Sequence, residues 1–239
     1  MAEVRYGTID TEYAMRLATS TDDEPIFMIN LMKYREVADY ADGRGDRRSG
    51  RDADDEYAPL ESLDAIGAEV VFFADVETQL MGADPQWDRI GVVKYPSRRA
   101  FIDMQSRPEF RAKHVHKEAG MERTIVMGGL PLPVPEFPAD IPTWDSVPHP
   151  PTADDGPVVV LHVLKFHEGK LETDMTTYQQ HAGEVAVPHG VRIAGWFGIE
   201  GTIVGDGRSW DQARFNSFPS KAAFMTGSEL VVDGGMTAM

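Results

Sequence analysis

One pattern occurs twice in this chain, first as Trp87-Asp88, Tyr95-Pro96-Ser97 and Ala100-Phe101, and again as Trp210-Asp211, Phe218-Pro219-Ser220 and Ala223-Phe224. The internal spacing is identical in the two copies. Each copy predicts a strand that begins near the Trp-Asp pair, a turn at the aromatic-Pro-Ser triplet, and a helix whose N-cap is the serine. The repeat therefore predicts a duplicated fold.

The composition is that of a globular protein with two cores of ordinary size. The chain has 239 residues, of which 42% are hydrophobic, and the repeat divides this material between two halves. No apolar run reaches the roughly 18 to 20 residues of a membrane span, and the N-terminus lacks the basic and apolar regions of a secretory signal. We therefore expect a cytoplasmic protein without a membrane partner.

Cysteine content and charge exclude several classes of site and partner. The chain contains no cysteine, which excludes disulfides, thiolate metal sites, iron–sulfur clusters and cysteine nucleophiles. Its formal net charge is -16. Because this charge repels phosphate backbones, nucleic acid is not expected as a partner.

The first half of the chain predicts the element order of a ferredoxin-like unit. We interpret residues 1–24 as a leader helix and a turn, and residues 25–129 as the first repeat. The continuous apolar run from Ile26 to Tyr34 favours a strand buried on both faces. The other predicted elements are a helix over 57–66, paired strands over 68–81 and 87–95, two helices after Ser97 and Arg107, and a strand over 121–127. The resulting order is β-α-β-β-α-β.

A polar stretch follows the first predicted strand. Residues 43–56 carry four arginines and several acidic residues with almost no apolar side chain, a composition that predicts a mobile loop. The arginines could form a clamp for an anionic substrate, because guanidinium groups bind carboxylates and phosphates well. Alternatively, the adjacent acidic side chains neutralise them.

A proline-rich segment separates the halves. Eight of the sixteen prolines lie within residues 130–156, which predicts an extended, semi-rigid connector. Residues 157–239 then form the second, truncated repeat. Its predicted elements are strands over 157–166, 191–204 and 210–218 and a helix over 178–189. Residues 229–232 serve as an abbreviated closing strand or lie elsewhere.

The first half resembles a known family. The residues that carry the resemblance are Asp23-Glu24-Pro25, Met28 to Tyr34, Trp87-Asp88, Tyr95-Pro96-Ser97, Phe101, Pro108-Glu109-Phe110 and His116 to Gly120. They are similar to dimeric α/β-barrel proteins of the domain-of-unknown-function 1330 type. The similarity covers most of residues 8–128 and, more weakly, 156–226.

This resemblance implies an α+β fold in which two ferredoxin-like β-α-β-β-α-β repeats pack sheet to sheet as a dimeric α/β barrel, here within one chain. It also implies small-molecule chemistry in the cleft between sheet and helices. Cofactor-free monooxygenases, cyclases, dehydratases, lactone isomerases and some haem enzymes share the fold, and a fold does not fix a function. The resemblance supplies no catalytic residue.

The C-terminal tail has a separate similarity. Residues 226–236 resemble the last strand of short-chain dehydrogenases. The other features of that family are missing, because no tyrosine has a lysine four residues later and the glycines from Gly201 to Gly207 lie late in the chain. A dehydrogenase is therefore not expected.

The second half carries polar residues on strands where the first half is more apolar. His162 lies in the middle of a buried strand and titrates in a useful range. Arg214 and Asn216 lie on a neighbouring strand, and Arg192 and Trp196 on the next. We interpret His162, Arg214 and Asn216 as catalytic, with the histidine as base and the other two as donors to developing negative charge. Arg192 and Trp196 would bind substrate. Alternatively, the histidine is a packed residue satisfied by a carbonyl or a tyrosine.

The first half offers further substrate-binding candidates. Asn30 and Tyr34 share a face of the first strand with Met28 and Met32. His116 could reach the same pocket, although a solvated position at a helix end is equally compatible with the sequence. The pair His114 and His116 has poor spacing for a metal, so no metal site is predicted.

Two functions of different class fit these observations. The first is a cofactor-independent enzyme that carries out acid/base chemistry, as a cyclase, isomerase, dehydratase or monooxygenase, on a small, partly apolar carbonyl or aromatic compound. Haem stays open as a cofactor. The second is a non-catalytic binding or structural module. A pocket lined by convergent polar groups would distinguish the enzyme from the module. The shortened second half also predicts a homo-oligomer.

Overall fold

The computed structural model describes residues 2–45, 47–82, 84–134, 136, 140–169 and 183–229. The chain divides into two compact units. Unit 1 contains Met1–Leu130 and Ile199–Ser209, and unit 2 contains Pro131–Gly198 and Trp210–Met239. The long strand β8, Arg192–Gly205, contributes residues to both.

Unit 1 contains strands and helices in the order expected for a ferredoxin-like repeat, preceded by a short hairpin. The elements are β1 Ala2–Val4, β2 Gly7–Ile9, α1 Thr11–Thr19, β3 Ile26–Tyr34, α2 Gly50–Tyr57, α3 Leu60–Asp64, β4 Glu69–Asp75, β5 Arg89–Tyr95, α4 Arg98–Ser106, α5 Pro108–Gly120 and β6 Met121–Pro131.

The main sheet of unit 1 has the order β4-β5-β3-β6, and each neighbouring pair is antiparallel. β3 lies in the interior of the sheet, which explains its nearly continuous apolar sequence. A core cluster forms between this sheet and the helices, and it includes Tyr13, Met28, Tyr95, Phe101 and Phe110. This face of the sheet also carries the polar residues described below.

Local sequence signals explain most of the helix ends in unit 1, although one helix was not predicted. Asp10 caps α1 and Ser97 caps α4 through side-chain oxygens. The polar stretch that predicts a mobile loop instead contains α2, which begins at a capping box formed by Ser49 and Asp52. The strand predicted over 68–81 is also shorter, since β4 ends at Asp75.

The backbones of helices α2 and α5 are in close contact at two glycines. A side chain on Gly50 would place its Cβ 2.4 Å from the Gly120 carbonyl oxygen, and a Cβ on Gly120 would lie 2.4 Å from the Gly50 oxygen. The Gly50 N–H donates to the Arg35 carbonyl at 3.1 Å, and the Arg35 N–H donates to the Gly120 carbonyl at 2.9 Å. Backbone atoms therefore fix the separation of the two helices.

Unit 2 repeats part of this architecture. Its described elements are a 3₁₀ turn at Trp144–Ser146, β7 Val158–Leu164, a 3₁₀ turn at Val187–His189, the first part of β8, β9 Gln212–Phe218 and α6 Lys221–Glu229. Residues 183–186 are helical. The strand order β7-β9-β8 matches β3-β5-β4 of unit 1. Part of the helix predicted over 178–189, and residues 230–239, lie outside the described residues.

The repeated sequence pattern makes the same hydrogen bonds in both units. In unit 1, Asp88 accepts from the Tyr34 N–H at 2.8 Å and from Lys33 Nζ at 3.2 Å. In unit 2, Asp211 accepts from the Phe166 N–H at 2.6 Å and from Lys165 Nζ at 2.7 Å. The aspartate of each Trp-Asp pair therefore closes the end of the first strand of its unit.

The next part of the pattern is equally well repeated. The Ser97 hydroxyl accepts from the Ala100 N–H at 3.2 Å, and the Ser220 hydroxyl accepts from the Ala223 N–H at 3.0 Å. Tyr95 meets Phe101 edge to face at 5.1 Å, and the matching aromatic pair of unit 2 has the same centroid separation. These contacts position each helix on its strand.

No helix within the described ranges has both the length and the apolar character required to cross a membrane.

Candidate functional site

Three strands of unit 2 bring predicted catalytic residues together. In the pairing of β7 with β9, His162 lies directly opposite Arg214, and in the pairing of β9 with β8, Arg214 lies opposite Trp196. Residues that are directly opposite in an antiparallel pair share a face of the sheet. His162, Arg214 and Trp196 therefore form one row across the three strands.

Asn216 and Gln212 flank this row on the same face of β9. The Asn216 Nδ2 atom lies 3.4 Å from His162 Nδ1, a long contact in which the amide donates to the ring nitrogen. The Trp196 Nε1–H donates to Gln212 Oε1 at 3.0 Å. The Arg214 guanidinium lies over the Trp196 ring, 4.4 Å from its centroid. The indole ring is held by both neighbours.

The electrostatic setting favours a neutral His162. Burial lowers the pKa of His162, and the positive charge of Arg214 lowers it further. A neutral imidazole has one nitrogen with a lone pair, and this lone pair is what a general base requires. Arg214 is itself buried, with 6% of its surface exposed, so its charge acts in a medium of low polarity.

Arg192 lies on the opposite face of the sheet from this row. A bulge in β8 between Ile193 and Gly195 shifts the register, so that Arg192 pairs with Ser217 and not with a residue of the row. Its guanidinium donates to the Pro142 carbonyl at 2.5 Å and to the Val191 carbonyl at 2.8 Å. Strict alternation along β8 would place Arg192 and Trp196 on one face, and the bulge between them prevents this.

The predicted residues of the first half lie in unit 1. Asn30 Nδ2 donates to the Met28 carbonyl at 3.0 Å and to the Gly91 carbonyl at 3.4 Å, so backbone oxygens accept from its amide N–H groups. The Tyr34 hydroxyl donates to Asp54 Oδ2 at 2.6 Å. Burial raises the pKa of the Tyr34 phenol, and the Asp54 charge raises it further. The phenol therefore acts as a proton donor in this bond.

Arg89 connects Asp54 to two exposed carboxylates. Its guanidinium donates to Asp75 at 2.8 Å and to Asp55 at 2.6 Å, and it lies 3.8 Å from Asp54. Arg51 also binds Asp75, at 2.5 Å. Three of the four arginines of the polar stretch thus pair with acidic side chains, since Arg44 also binds Asp42 and Arg48 approaches Glu56. These pairs favour mutual neutralisation over an anion clamp.

The two histidines of α5 have different surroundings. His116 Nδ1 lies 2.7 Å from the Tyr40 hydroxyl. His114 stacks on Phe110, with ring centroids 5.4 Å apart, and its Nε2 lies 3.1 Å from the Tyr6 hydroxyl. Burial, assisted by the charge of Lys117, lowers the pKa of His114 to about 4. The His114 Nδ1 atom is buried, and no described residue forms a hydrogen bond with it.

Lys117 and Asp54 were not identified from the sequence. Lys117 lies one turn beyond His114 on α5, with its Nζ 5.1 Å from the centroid of the Tyr57 ring. Burial lowers the pKa of Lys117, and the negative charge of Asp54 opposes that shift. Burial likewise raises the pKa of Asp54. Asp54 is hidden in an acidic run and Lys117 near a helix end, where solvated side chains are usual.

Two further observations concern binding sites in general. Unit 1 has a cavity of about 340 Å³, lined by Tyr6, Trp87, Arg123, Thr124 and neighbouring residues, that includes none of the predicted site residues. Across the ranges that the structure describes, no three His, Asp or Glu side chains are grouped in a way that could hold a metal ion.

Comparison with known proteins supports the fold. No family model and no curated protein matches the chain. A Rhodopseudomonas palustris protein of unknown function is 27% identical over 55% of this chain and 100% of its own, with a TM-score of 0.49. The chlorite dismutase of Candidatus Nitrospira defluvii, in complex with imidazole, is 12% identical over 93% of this chain and 86% of its own, with a TM-score of 0.50.

The similarity to the chlorite dismutase concerns the fold alone. The element order of unit 1, the matching strand order of unit 2 and the chlorite dismutase similarity together confirm the predicted α+β fold class of dimeric α/β-barrel type. The resemblance to the domain-of-unknown-function 1330 type rests on the residues of the sequence alone.

Proposed function

We propose that the chain is a small-molecule enzyme that transfers protons on a small, partly apolar carbonyl compound. In this proposal His162 is the base, and Arg214 and Asn216 donate hydrogen bonds to the oxygen that becomes negative. The observation that supports the proposal is the row of His162, Arg214 and Trp196 across three strands, with Asn216 3.4 Å from the imidazole.

The long contact between Asn216 and His162 suggests how a substrate would enter. A ligand that displaced this contact and separated the two side chains would accept the Asn216 N–H on its carbonyl oxygen and present its α-hydrogen to His162 Nδ1. Proton removal then produces an enolate, whose oxygen is stabilised by the amide and by Arg214. Trp196 supplies an apolar wall, and its stacking on Arg214 limits the orientations of the guanidinium.

The proposal is tested by hydrogen–deuterium exchange at the α-carbon of a panel of small ketones, followed by proton NMR in D₂O. We expect wild type to accelerate exchange of at least one ketone and His162→Gln to lose this acceleration. His167→Gln, which changes an exposed histidine of the same unit, is the matched control and should behave as wild type. If wild type and His162→Gln are indistinguishable over the whole panel, His162 is not the base.

The same experiment separates the enzyme from a binding module. A module would bind a ketone, detected by line broadening of the ligand, without accelerating exchange. We also propose that the protein is a homo-oligomer that acts without nucleic acid.

A further inference from the structure

A second polar group lies in unit 1, and the proposed function does not use it. It lies between β3 and the helices α2 and α5, and it contains Tyr34, Asp54, Tyr57, His114 and Lys117. The walls are aromatic, because Tyr57 meets both Phe110 and His114 edge to face, with centroids 5.9 Å apart in each pair. Such a place is poorly suited to charged side chains unless they are paired.

Lys117 is an amine without an ionic partner in this environment. No carboxylate of the described residues forms an ion pair with its Nζ, which instead lies over the face of Tyr57. Lys33 and Lys165 bind carboxylates at 3.2 Å and 2.7 Å, and Lys113 on the same helix binds a carbonyl at 3.2 Å. Burial that is not offset by a close anion disfavours the ammonium form, so burial lowers the pKa of Lys117.

The groups around Lys117 can handle protons without carrying a fixed charge. Asp54 is 6% exposed and receives the hydrogen bond from Tyr34 at 2.6 Å, and burial raises the pKa of its carboxyl. His114 faces the group from α5, and the low pKa of its imidazole keeps it neutral. Its buried Nδ1 receives no hydrogen bond from any described residue, so it is a polar atom that a bound molecule could satisfy.

We propose that Lys117 is the nucleophile of a second site, which condenses with a small, neutral aldehyde or ketone to form an imine. The Nζ lone pair attacks the carbonyl carbon, and a proton moves from the nitrogen to the carbonyl oxygen to give a neutral carbinolamine. The Asp54 carboxyl then protonates the hydroxyl, which leaves as water, and the resulting iminium returns its N–H proton to the Asp54 carboxylate. The products are one imine and one water, and no oxidant or reductant is consumed.

The inference is independent of the proposed function, because its residues lie in unit 1 and His162 lies in unit 2. The full-length protein is treated at pH 7 with butanal and sodium cyanoborohydride, which reduces any imine to a stable secondary amine. Proteolysis and mass spectrometry then give the rate of modification at each lysine. Lys113, four residues away on the same helix, is the internal control.

We expect Lys117 to be modified faster than Lys113, because a lowered pKa increases the fraction of free amine at neutral pH. Asp54→Asn removes the negative charge that favours the ammonium form of Lys117, but it also removes the proton donor for loss of water. We expect the second effect to dominate, so that modification of Lys117 slows while Lys113 is unchanged. His162→Gln should leave both rates unchanged. This comparison within wild type requires no variant to fold. Modification of Lys117 at or below the rate of Lys113 overturns the proposal, and an unchanged Lys117 rate in Asp54→Asn removes Asp54 from it.

Discussion

The Tyr34 hydroxyl and the Asp54 carboxyl form one of the shortest side-chain contacts in the core of unit 1, at 2.6 Å. We predict that Tyr34→Phe lowers the free energy of unfolding by about 1–3 kcal/mol, because the carboxylate loses its closest donor while it stays buried. Urea denaturation at pH 7 measures the change.

A double-mutant cycle with Asp54→Asn supplies the control. If the bond is responsible for the loss, the two substitutions are non-additive, with a coupling of about 0.5–3 kcal/mol. Additive losses would show that Tyr34 stabilises the unit through packing of its ring.

The buried His114 makes the free energy of unfolding of unit 1 depend on pH. The pKa of His114 falls from 6.5 to about 4 on folding, so between these pH values the unfolded chain binds more protons than the folded chain. Stability is therefore fully present above pH 6.5 and is lost as the pH falls to 4, by up to about 3 kcal/mol. Urea denaturation as a function of pH should show a shallower dependence in His114→Gln. The exposed His167→Gln should keep the wild-type dependence, and an equally steep His114→Gln curve would contradict the assignment.

The sequence predicts which side chains share a face of the sheet where the strands are regular. His162, Arg214, Asn216 and Trp196 were grouped by alternation, and the pairing of β7, β8 and β9 places them together. Arg192 is separated from them by the bulge at residue 194, and no composition signal marks that bulge. Unit 1 has a bulge at the matching residue 71. The bulge is therefore present in both copies of the repeat, although neither sequence indicates it.

At the scale of the element, each Trp-Asp pair ends a strand. Asp88→Ala would leave the Tyr34 N–H without its acceptor, and we predict a loss of about 1–3 kcal/mol in the free energy of unfolding. Asp88→Asn retains an acceptor oxygen and should lose less. Guanidinium denaturation of both variants measures the difference.

Lys33→Met separates the ion pair from the backbone bond. The partly exposed pair of Lys33 and Asp88 should contribute less than about 1 kcal/mol. A loss in Lys33→Met as large as that in Asp88→Ala would mean that the ion pair, and not the backbone cap, holds the strand end.

Strands and helices differ in how far the sequence predicts them. β3, β5, β7 and β9 follow from apolar runs and from the repeat, because their periodicity reflects burial. Helix α2 has an acidic sequence that resembles a solvated loop. Its start was still encoded, because Ser49 and Asp52 form a capping box. The many charged residues around this capping box led to the prediction of a loop in place of the helix.

The whole molecule is predicted to self-associate. β4 is at one end of the strand order in unit 1, and its Val70, Val71 and Phe73 are 41%, 42% and 55% exposed. Exposed apolar side chains on a terminal strand favour pairing with another chain. Light scattering at micromolar concentration should give a mass above the 26.5 kDa of one chain.

Val71→Lys tests whether β4 is the contact. The added charge should lower the observed mass towards that of one chain, whereas Val159→Lys, at a similarly exposed position of β7, should not. A monomeric mass for wild type would contradict self-association itself. The fold class followed from the repeated pattern, but an assembly depends on surface complementarity, which periodicity does not encode.

The two facing glycines of α2 and α5 have a consequence for reactivity. Asp54 and Tyr57 extend from one of these helices and Lys117 from the other, so the distance between acid and amine is set where the backbones touch at Gly50 and Gly120. Adding a single methyl group there would push the helices apart without altering any functional side chain. Alanine at Gly50 or Gly120 would therefore change the distance between Asp54 and Lys117. It would alter the proposed imine formation from a point remote from the reacting atoms.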